Sequence, residues 1–178
     1  MEELKDKNAW RASAANVMTF RYLSSAELAL VLKASTVYLF GPEETVVKEG
    51  ELDPYFYGIL EGSVSVSVHE KLDTGELNEV YMCTLGPGDV FGEAGIFLKV
   101  KRTATVRTLD DVVLLRLHRS DLAAFIKAQP SGGNKLLLVV IYGLLRKLRA
   151  ANQELAYERK ADMDQTDVDA LLADMTGS

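Results

Sequence analysis

The sequence has few of the residues that catalytic and metal sites require. It contains one cysteine, Cys83, so no intrachain disulfide can form, and its strand-like surroundings predict a buried thiol. Its two histidines, His69 and His118, are far apart and lack the spacing of metal ligands. No nucleophile–base motif is present either. We therefore expect a protein that is not an enzyme and that holds no metal.

Long apolar runs and clusters of positive charge are also missing. The longest apolar run, LLLVVIYGLL at residues 136–145, is about half as long as a membrane span, and the N-terminus has no signal-peptide core. The formal net charge is −6, and five aspartates between Ala161 and Ser178 supply most of it. No basic stripe could attract nucleic acid. These absences predict a cytoplasmic protein that binds neither membrane nor nucleic acid.

Short strand-like segments fill the middle of the chain. They are rich in β-branched and aromatic residues, as in TVYLF and YFYGIL. In GSVSVSVHE, alternation places Val64, Val66 and Val68 on one face of a strand. Turn sequences such as DTGE at 73–76 and GPGD at 86–89 separate these segments. The pattern predicts an antiparallel β-barrel or jelly roll.

Helical patterns flank the strands. Ser24 and Glu27 have capping-box spacing at the start of SSAELALVLKAS, and a short helix is expected to begin near Ser120 or Asp121. We expect PSGG to break the chain before a long C-terminal helix over 134–158. The predicted organisation is an N-terminal extension at 1–23, a barrel domain at 24–133, the long helix at 134–158 and an acidic tail at 159–178.

The long helix carries an apolar seam of heptad type. Its members alternate spacings of four and three: Leu137, Ile141, Leu144, Leu148, Ala151, Leu155 and Glu158. Further apolar residues broaden this face, so one side could pack on the barrel while the other meets a second subunit. We expect a homodimer joined through this helix, and a helix that packs only on its own barrel is the alternative.

The stretch FGEAGIFLKVKRTATV at residues 91–106 combines a Gly-Glu pair with a lone arginine. Gly92 permits close backbone approach, and amides at the start of a short helical turn attract anions. Arg102 could bind the same anion, whereas Glu93 would accept hydrogen bonds from sugar hydroxyls. From the residues alone, a nucleotide site and a surface ion pair between Glu93 and Arg102 both remain open.

This stretch closely resembles the phosphate-binding cassette of cyclic nucleotide-binding domains. The positions that match the cassette are Phe91, Gly92, Glu93, Gly95, Ile96, Arg102, Thr103, Ala104 and Val106. The upstream stretch VVKEGELDPYFYGILEGSVSV is similar to the hairpin that precedes the cassette in this family, with Gly50 and Gly62 in their expected places. The resemblance extends over residues 20–158.

The resemblance implies that cAMP or cGMP is the ligand. Glu93 would bind the ribose 2′-hydroxyl and Arg102 the cyclic phosphate. Backbone amides of Gly92, Ala94 and Gly95 would complete the phosphate cradle.

Two further residues belong to the implied ligand site. Thr103 lies where family members use a hydroxyl near phosphate and base. Asn152 would supply a polar contact to the purine from the long helix, partly across the dimer, because the neighbouring Ala151 has no polar group. The threonine does not decide between adenine and guanine.

Three positions depart from the family pattern. Asp53 stands where the hairpin usually has Gly or Ala, and Gly58 replaces an aliphatic strand residue. Both are expected to affect the local geometry of the hairpin more than charge recognition. Lys101 replaces a frequent proline before the arginine, and a cation is tolerable beside a phosphate.

The implied function is that of a cyclic nucleotide-binding regulatory protein. The 20 residues after Glu158 are acidic and too few for the helix-turn-helix of related transcription factors, so we expect the signal to pass to a separate protein partner. The alternative is a scaffold of the same fold that has lost ligand binding and acts through its helix.

Overall fold

The computed structural model describes residues 1–72, 74–97, 100–149 and 152–153. The chain divides into two compact units, Met1–Val139 and Val140–Ser178. The first unit contains two antiparallel sheets with flanking helices, which confirms the predicted mainly-β, jelly-roll architecture. No helix among the described residues is long and apolar enough to cross a lipid bilayer.

The strands are short and follow one another closely. They are β1 (Glu2–Glu3), β2 (Thr36–Phe40), β3 (Thr45–Val47), β4 (Tyr55–Glu61), β5 (Val64–Lys71), β6 (Leu77–Leu85), β7 (Val90–Phe91), β8 (Thr105–Thr108) and β9 (Val112–His118). A 3₁₀ turn at Lys7–Trp10 precedes the helices α1 (Arg11–Asn16), α2 (Ser25–Ala34), α3 (Glu93–Phe97) and α4 (Arg119–Ala128). A fifth helix, α5, begins at residue 130 and is described to residue 149.

The two sheets enclose one apolar core. The first sheet has the strand order β1-β2-β9-β4-β7, and the second has the order β3-β8-β5-β6. Phe40, Ile59 and Leu114 from the first sheet pack with Val64 and other valines from the second, and all are buried. Burying these side chains supplies the main driving force for folding. A ligand site can therefore form where polar side chains face the space between the two sheets, near the ends of the strands.

The hairpin of β5 and β6 forms as predicted, with one irregularity. Val66 pairs with Cys83, but Ser67 pairs with Tyr81, so the register shifts between these pairs. The prediction of a buried Cys83 thiol is wrong, because Cys83 is exposed. The reason is that β6 is the last strand of its sheet and most of its residues are exposed.

The capping box at the start of α2 is confirmed. The Ser24 hydroxyl accepts from the Glu27 amide at 3.3 Å, and the Ser24 amide donates to Glu27 Oε2 at 2.7 Å. Lys135 Nζ also donates to Glu27 Oε2 at 3.0 Å. The Ser24 amide first, and then Lys135, lower the pKa of the Glu27 carboxyl. This carboxylate therefore fastens the start of α2 to the first turns of α5.

The last helix starts earlier than the sequence indicated. It begins at residue 130, not at Asn134, and PSGG is part of it. Pro130 is suited to the first helical position, where a missing amide hydrogen costs nothing. A Cβ on Gly132 would lie 3.0 Å from the Glu27 carboxylate, and one on Gly133 would lie 3.0 Å from the Cα of Ile126. The glycines therefore allow close helix packing and do not end the helix.

Some predictions fall on residues that the structure does not describe. The end of the long helix near Glu158, the seam positions Ala151 and Leu155, and the acidic tail at 159–178 lie outside the described residues. The start of α4 is within them: His118 is its N-cap, and Nδ1 of that ring accepts from the Ser120 amide at 3.2 Å. The predicted start of α4 near Ser120 is thus within two residues of the observed one.

Candidate functional site

The cassette lies between β7 and β8. Phe91, the last residue of β7, pairs with Tyr57 of β4, and the two rings stack at 4.8 Å with only 8° between their planes. The chain turns at Gly92, where φ is +79°, and α3 begins at Glu93. Since β4 starts at Tyr55, this pairing holds the cassette turn against the first residues of β4.

Arg102 lies inside the protein. It is 8% exposed, and its Nη2 donates to the backbone oxygen of Tyr55. Nη2 also lies 3.1 Å from Asp53 Oδ2. The Nε atom of Arg102 is buried and has no hydrogen-bond partner among the described residues. Arg102 is therefore buried and does not lie at the surface, and it forms an ion pair with Asp53. The pairing of Arg102 with Glu93 stays an open alternative.

Two glycines of the cassette make room for the guanidinium. A Cβ on Gly92 would lie 2.5 Å from Arg102 Nη1 and 2.9 Å from the Tyr55 oxygen. A Cβ on Gly95 would lie 3.0 Å from the same Nη1. Real Cβ atoms do not approach a nitrogen so closely, and the positive φ of Gly92 disfavours other residues independently. The structure thus brings Gly92, Gly95 and Arg102 together, as the sequence predicts.

Asp53 is a part of this site that the sequence reasoning missed. Its Oδ1 accepts from the Tyr55 amide at 2.9 Å, and its Oδ2 accepts from the Tyr57 hydroxyl at 3.1 Å. Burial first, and then this carboxylate, raise the pKa of the Tyr57 hydroxyl far above its usual value. The departure from Gly or Ala was expected to alter hairpin geometry, but it adds a charge that faces Arg102. The sequence offered one indication of this role, namely an acidic residue at a hairpin position where the family usually has Gly or Ala.

Gly58, the second departure in the hairpin, has a packing explanation. It lies in β4 opposite Val90 and Leu115, and a Cβ there would lie 3.1 Å from a methyl group of Val17. Val17 is fully buried. The missing side chain therefore lets the N-terminal segment pack directly against the sheet, away from the charged groups of the cassette.

Arg116 is a second arginine on the inner side of the first sheet. Its guanidinium lies over the rings of Tyr38 and Tyr55, 4.5 and 4.2 Å from their centroids. Nη2 donates to the Tyr38 hydroxyl at 3.0 Å, and the buried Nε has no partner in the part of the chain that the structure describes. The sequence could have indicated this position, because Arg116 lies two residues after Leu114 and therefore on the same face of the strand. Leu114 belongs to the core between the sheets.

The other predicted site residues are more exposed. Glu93 is the first residue of α3 and is partly buried, whereas Ala94 and Thr103 are exposed. Asn152 is exposed in the second unit, where it lines a pocket of about 420 Å³ together with Leu145, Leu148, Arg149 and Gln153. Its contact with a purine stays a prediction.

These groups are suited to hold an anion. The guanidinium of Arg102 supplies a fixed positive charge, and its Nε–H has no acceptor among the residues that the structure describes. Within the ranges that the structure describes, no group of three or more His, Cys, Asp or Glu side chains could hold a metal ion.

Known proteins resemble this chain in sequence and in fold. A CRP-like cAMP-activated global transcriptional regulator of Mycobacterium tuberculosis is 30% identical over 154 residues, which are 86% of this chain and 63% of the relative. The Thermus thermophilus catabolite activator protein matches with a TM-score of 0.66 and 28% identity, over 77% of this chain and 61% of that one.

A cyclic nucleotide-binding domain of Methylobacillus flagellatus has the same fold, with a TM-score of 0.73, 20% identity and 83% coverage of each chain. The chain spans less than two thirds of the length of the curated relatives that it matches. The family model for the cyclic nucleotide-binding domain matches residues 39–129, the part that contains both sheets' central strands and the cassette. The chain therefore belongs to the cyclic nucleotide-binding domain family.

Proposed function

We propose that this chain is a cytoplasmic regulatory protein that binds a cyclic nucleotide, with cAMP as the first candidate, and passes the signal to a separate protein partner. The observation that carries the proposal is the state of Arg102. The guanidinium is buried, and its Nε finds no acceptor in the described part of the chain, which is costly unless a ligand uses it. A phosphate oxygen next to the Gly92 turn would accept from this Nε.

Each neighbouring group has a role in the proposed complex. The cyclic phosphate would receive a charge-assisted hydrogen bond from Arg102 and backbone hydrogen bonds at Gly92, Ala94 and Gly95. Glu93 would accept from the ribose 2′-hydroxyl, because a carboxylate is an acceptor for hydroxyls and repels phosphate. Thr103, exposed at the end of the cassette, would offer its hydroxyl near the base, and Asn152 would contact the purine from the long helix.

The choice of cAMP rests on relatives. The Mycobacterium regulator is named as cAMP-activated, and it aligns over most of this chain. A cGMP-dependent protein kinase of Toxoplasma gondii is 31% identical over 106 residues, so cGMP is the necessary comparison. Both ligands carry one cyclic phosphate and one ribose and would use the same cassette contacts.

Isothermal titration calorimetry tests the proposed function. The purified chain is titrated in parallel with cAMP, cGMP and a cyclic dinucleotide. Saturable heat with cAMP, weaker heat with cGMP and none with the dinucleotide is the expected result. No heat with any of them at millimolar concentration would contradict ligand binding.

A second candidate function is a scaffold that binds no nucleotide. The observation that favours it is the ion pair between Arg102 and Asp53, since a carboxylate already satisfies part of the guanidinium. In that case the chain would act through its helix alone, and the calorimetric titration would stay flat for every nucleotide.

We further propose that the long helix, 134–158 in the predicted organisation, joins two copies after the barrel domain at 24–133. The described part of this helix exposes large apolar side chains: Leu138 (67%), Ile141 (52%), Tyr142 (62%), Leu144 (40%), Leu145 (59%) and Leu148 (58%). Monomeric soluble proteins rarely expose so continuous an apolar surface. A second copy of the same helix would cover it with the heptad seam.

Light scattering tests the dimer. Replacing Leu144 and Leu148 with Glu places charges in the seam, so the mass is expected to fall from that of two chains to that of one. Leu77→Glu is the control, because Leu77 is 69% exposed on β6 and lies outside the seam. An unchanged mass in the double variant would show that the seam does not join subunits.

A further inference from the structure

Asp53 binds the same guanidinium that the proposed ligand would use. Its Oδ2 lies 3.1 Å from Arg102 Nη2, and the side chains of Arg102 and Asp53 are only 7% and 18% exposed. Exposed ion pairs contribute little, but a pair shielded from water is a strong local electrostatic feature. A phosphate that approaches Arg102 therefore meets a negative charge held next to its binding partner.

The carboxylate is held in place by two further donors. The Tyr55 amide fixes Oδ1 at 2.9 Å, and the Tyr57 hydroxyl fixes Oδ2 at 3.1 Å. Tyr57 is itself immobilised, because its ring stacks on Phe91 at 4.8 Å. The backbone also ties this loop to the arginine, since the Gly50 amide donates to the Arg102 oxygen at 2.8 Å. Asp53 is thus a prearranged part of the site and not a mobile neighbour.

We propose that Asp53 is a specificity-determining residue of the cassette, a built-in counter-ion that admits a singly charged cyclic phosphodiester and rejects a doubly charged phosphomonoester such as 5′-AMP. This inference rests on the proposed function. The guanidinium and the carboxylate together have no net charge, so one phosphate charge meets a balanced site. With cAMP bound, the guanidinium, the carboxylate and the phosphate together carry a charge of about −1, and with 5′-AMP they carry about −2, so Asp53 repels the second phosphate charge as well as the first.

The physical basis is the charge of the two ligand classes. A cyclic phosphodiester carries one negative charge, whereas a phosphomonoester with a second pKa of about 6 carries nearly two at pH 8. Coulomb repulsion from a fixed carboxylate is proportional to the ligand charge. The free energy of repulsion between Asp53 and 5′-AMP is therefore about twice that between Asp53 and cAMP.

The test compares the wild type with Asp53→Asn by calorimetry at pH 8, with cAMP and 5′-AMP as probes. Asparagine has the same shape and still accepts from the Tyr55 amide through its side-chain oxygen, so the loop conformation is retained. Thermal unfolding of both proteins checks the fold. Glu51→Gln is the matched control, because it removes one charge from the same loop at an exposed position.

Removing the charge is expected to tighten cAMP binding by about tenfold and 5′-AMP binding by about 100-fold. Glu51→Gln is expected to leave the preference for cAMP unchanged. Binding of cAMP by Asp53→Asn alone, with none by the wild type, would overturn the proposal, because Asp53 would then exclude the ligand that it is proposed to admit. Equal tightening for both nucleotides, no change, or weaker cAMP binding would overturn the proposal while leaving the receptor function intact. If neither protein binds cAMP or cGMP, the proposed function fails and the inference fails with it.

Discussion

Arg102 and Arg116 are two arginines of one site with different surroundings. Both have a buried Nε with no partner within the described ranges, and the positive charge of each favours ionisation of the Tyr57 hydroxyl. Arg102 faces a carboxylate, a backbone oxygen and two glycines. Arg116 instead lies over the rings of Tyr38 and Tyr55.

Under the proposed function, this difference separates an arginine that binds the ligand from an arginine that only packs. Aromatic rings cover the guanidinium of Arg116 and leave it a stabilising role through cation–π contacts. The guanidinium of Arg102 lies at a turn where only glycine fits, because Nη1 occupies the space that a Cβ on Gly92 would need. The buried Arg102 and the partly buried Arg116 can thus be told apart by what surrounds them, and three substitutions test that distinction.

The largest effect is expected from Arg102→Ala. A hydrogen bond to a charged group contributes roughly 1.5–3 kcal/mol, so cAMP binding should weaken by about 10- to 150-fold. Asp53 keeps its bonds from the Tyr55 amide and the Tyr57 hydroxyl, so the fold should persist. Calorimetry measures the affinity, and Arg107→Ala is the control, because Arg107 is an exposed arginine of β8. Equal affinity in Arg102→Ala and wild type would remove Arg102 from the site.

A smaller loss is expected from Gly92→Ala. The new Cβ would collide with Arg102 Nη1 and adopt an unfavourable positive φ, so the arginine must move and cAMP binding should weaken by about tenfold. Gly75→Ala is the matched control, since its φ is +86° and a Cβ there meets nothing within 4 Å. Both variants should lose about 1 kcal/mol of stability from backbone strain, measured by urea unfolding. If both bind cAMP as the wild type does, the contact between Gly92 and Arg102 is not needed for binding.

The smallest effect on affinity is expected from Arg116→Met. Methionine fills a similar space but loses two cation–π contacts, so the free energy of unfolding should fall by about 1–2 kcal/mol. The affinity for cAMP should change by less than about threefold, because a charge that only lies nearby contributes little to binding. Urea unfolding and calorimetry on the same sample separate the two quantities. A large loss of affinity with unchanged stability would make Arg116 a second ligand contact.

Much of the fold can be predicted from local patterns in the sequence. The capping box at Ser24 and Glu27, the strand alternation and the cassette from Gly92 to Arg102 are signals within a few residues of sequence, and each appears where predicted. The close approach of Gly92 to Arg102 follows from the same motif.

What the sequence did not predict depends on contacts between distant segments. The pair of Asp53 and Arg102 joins positions 49 residues apart, and nothing local in either segment indicates it. Gly132 and Gly133 read as helix breakers, but tight packing against α2 and α4 keeps them helical. Cys83 is exposed because β6 is an edge strand, and strand order is a property of the whole sheet.

A crystal structure of the chain with cAMP would show directly whether Arg102 binds the cyclic phosphate. We predict that the cyclic phosphate lies beside the Gly92 turn, with a phosphate oxygen about 2.7–2.9 Å from a nitrogen of the Arg102 guanidinium. The Glu93 carboxylate is predicted within hydrogen-bond distance of the ribose 2′-hydroxyl. A phosphate bound elsewhere, with Arg102 still paired only to Asp53 and Tyr55, would contradict the proposed role of Arg102.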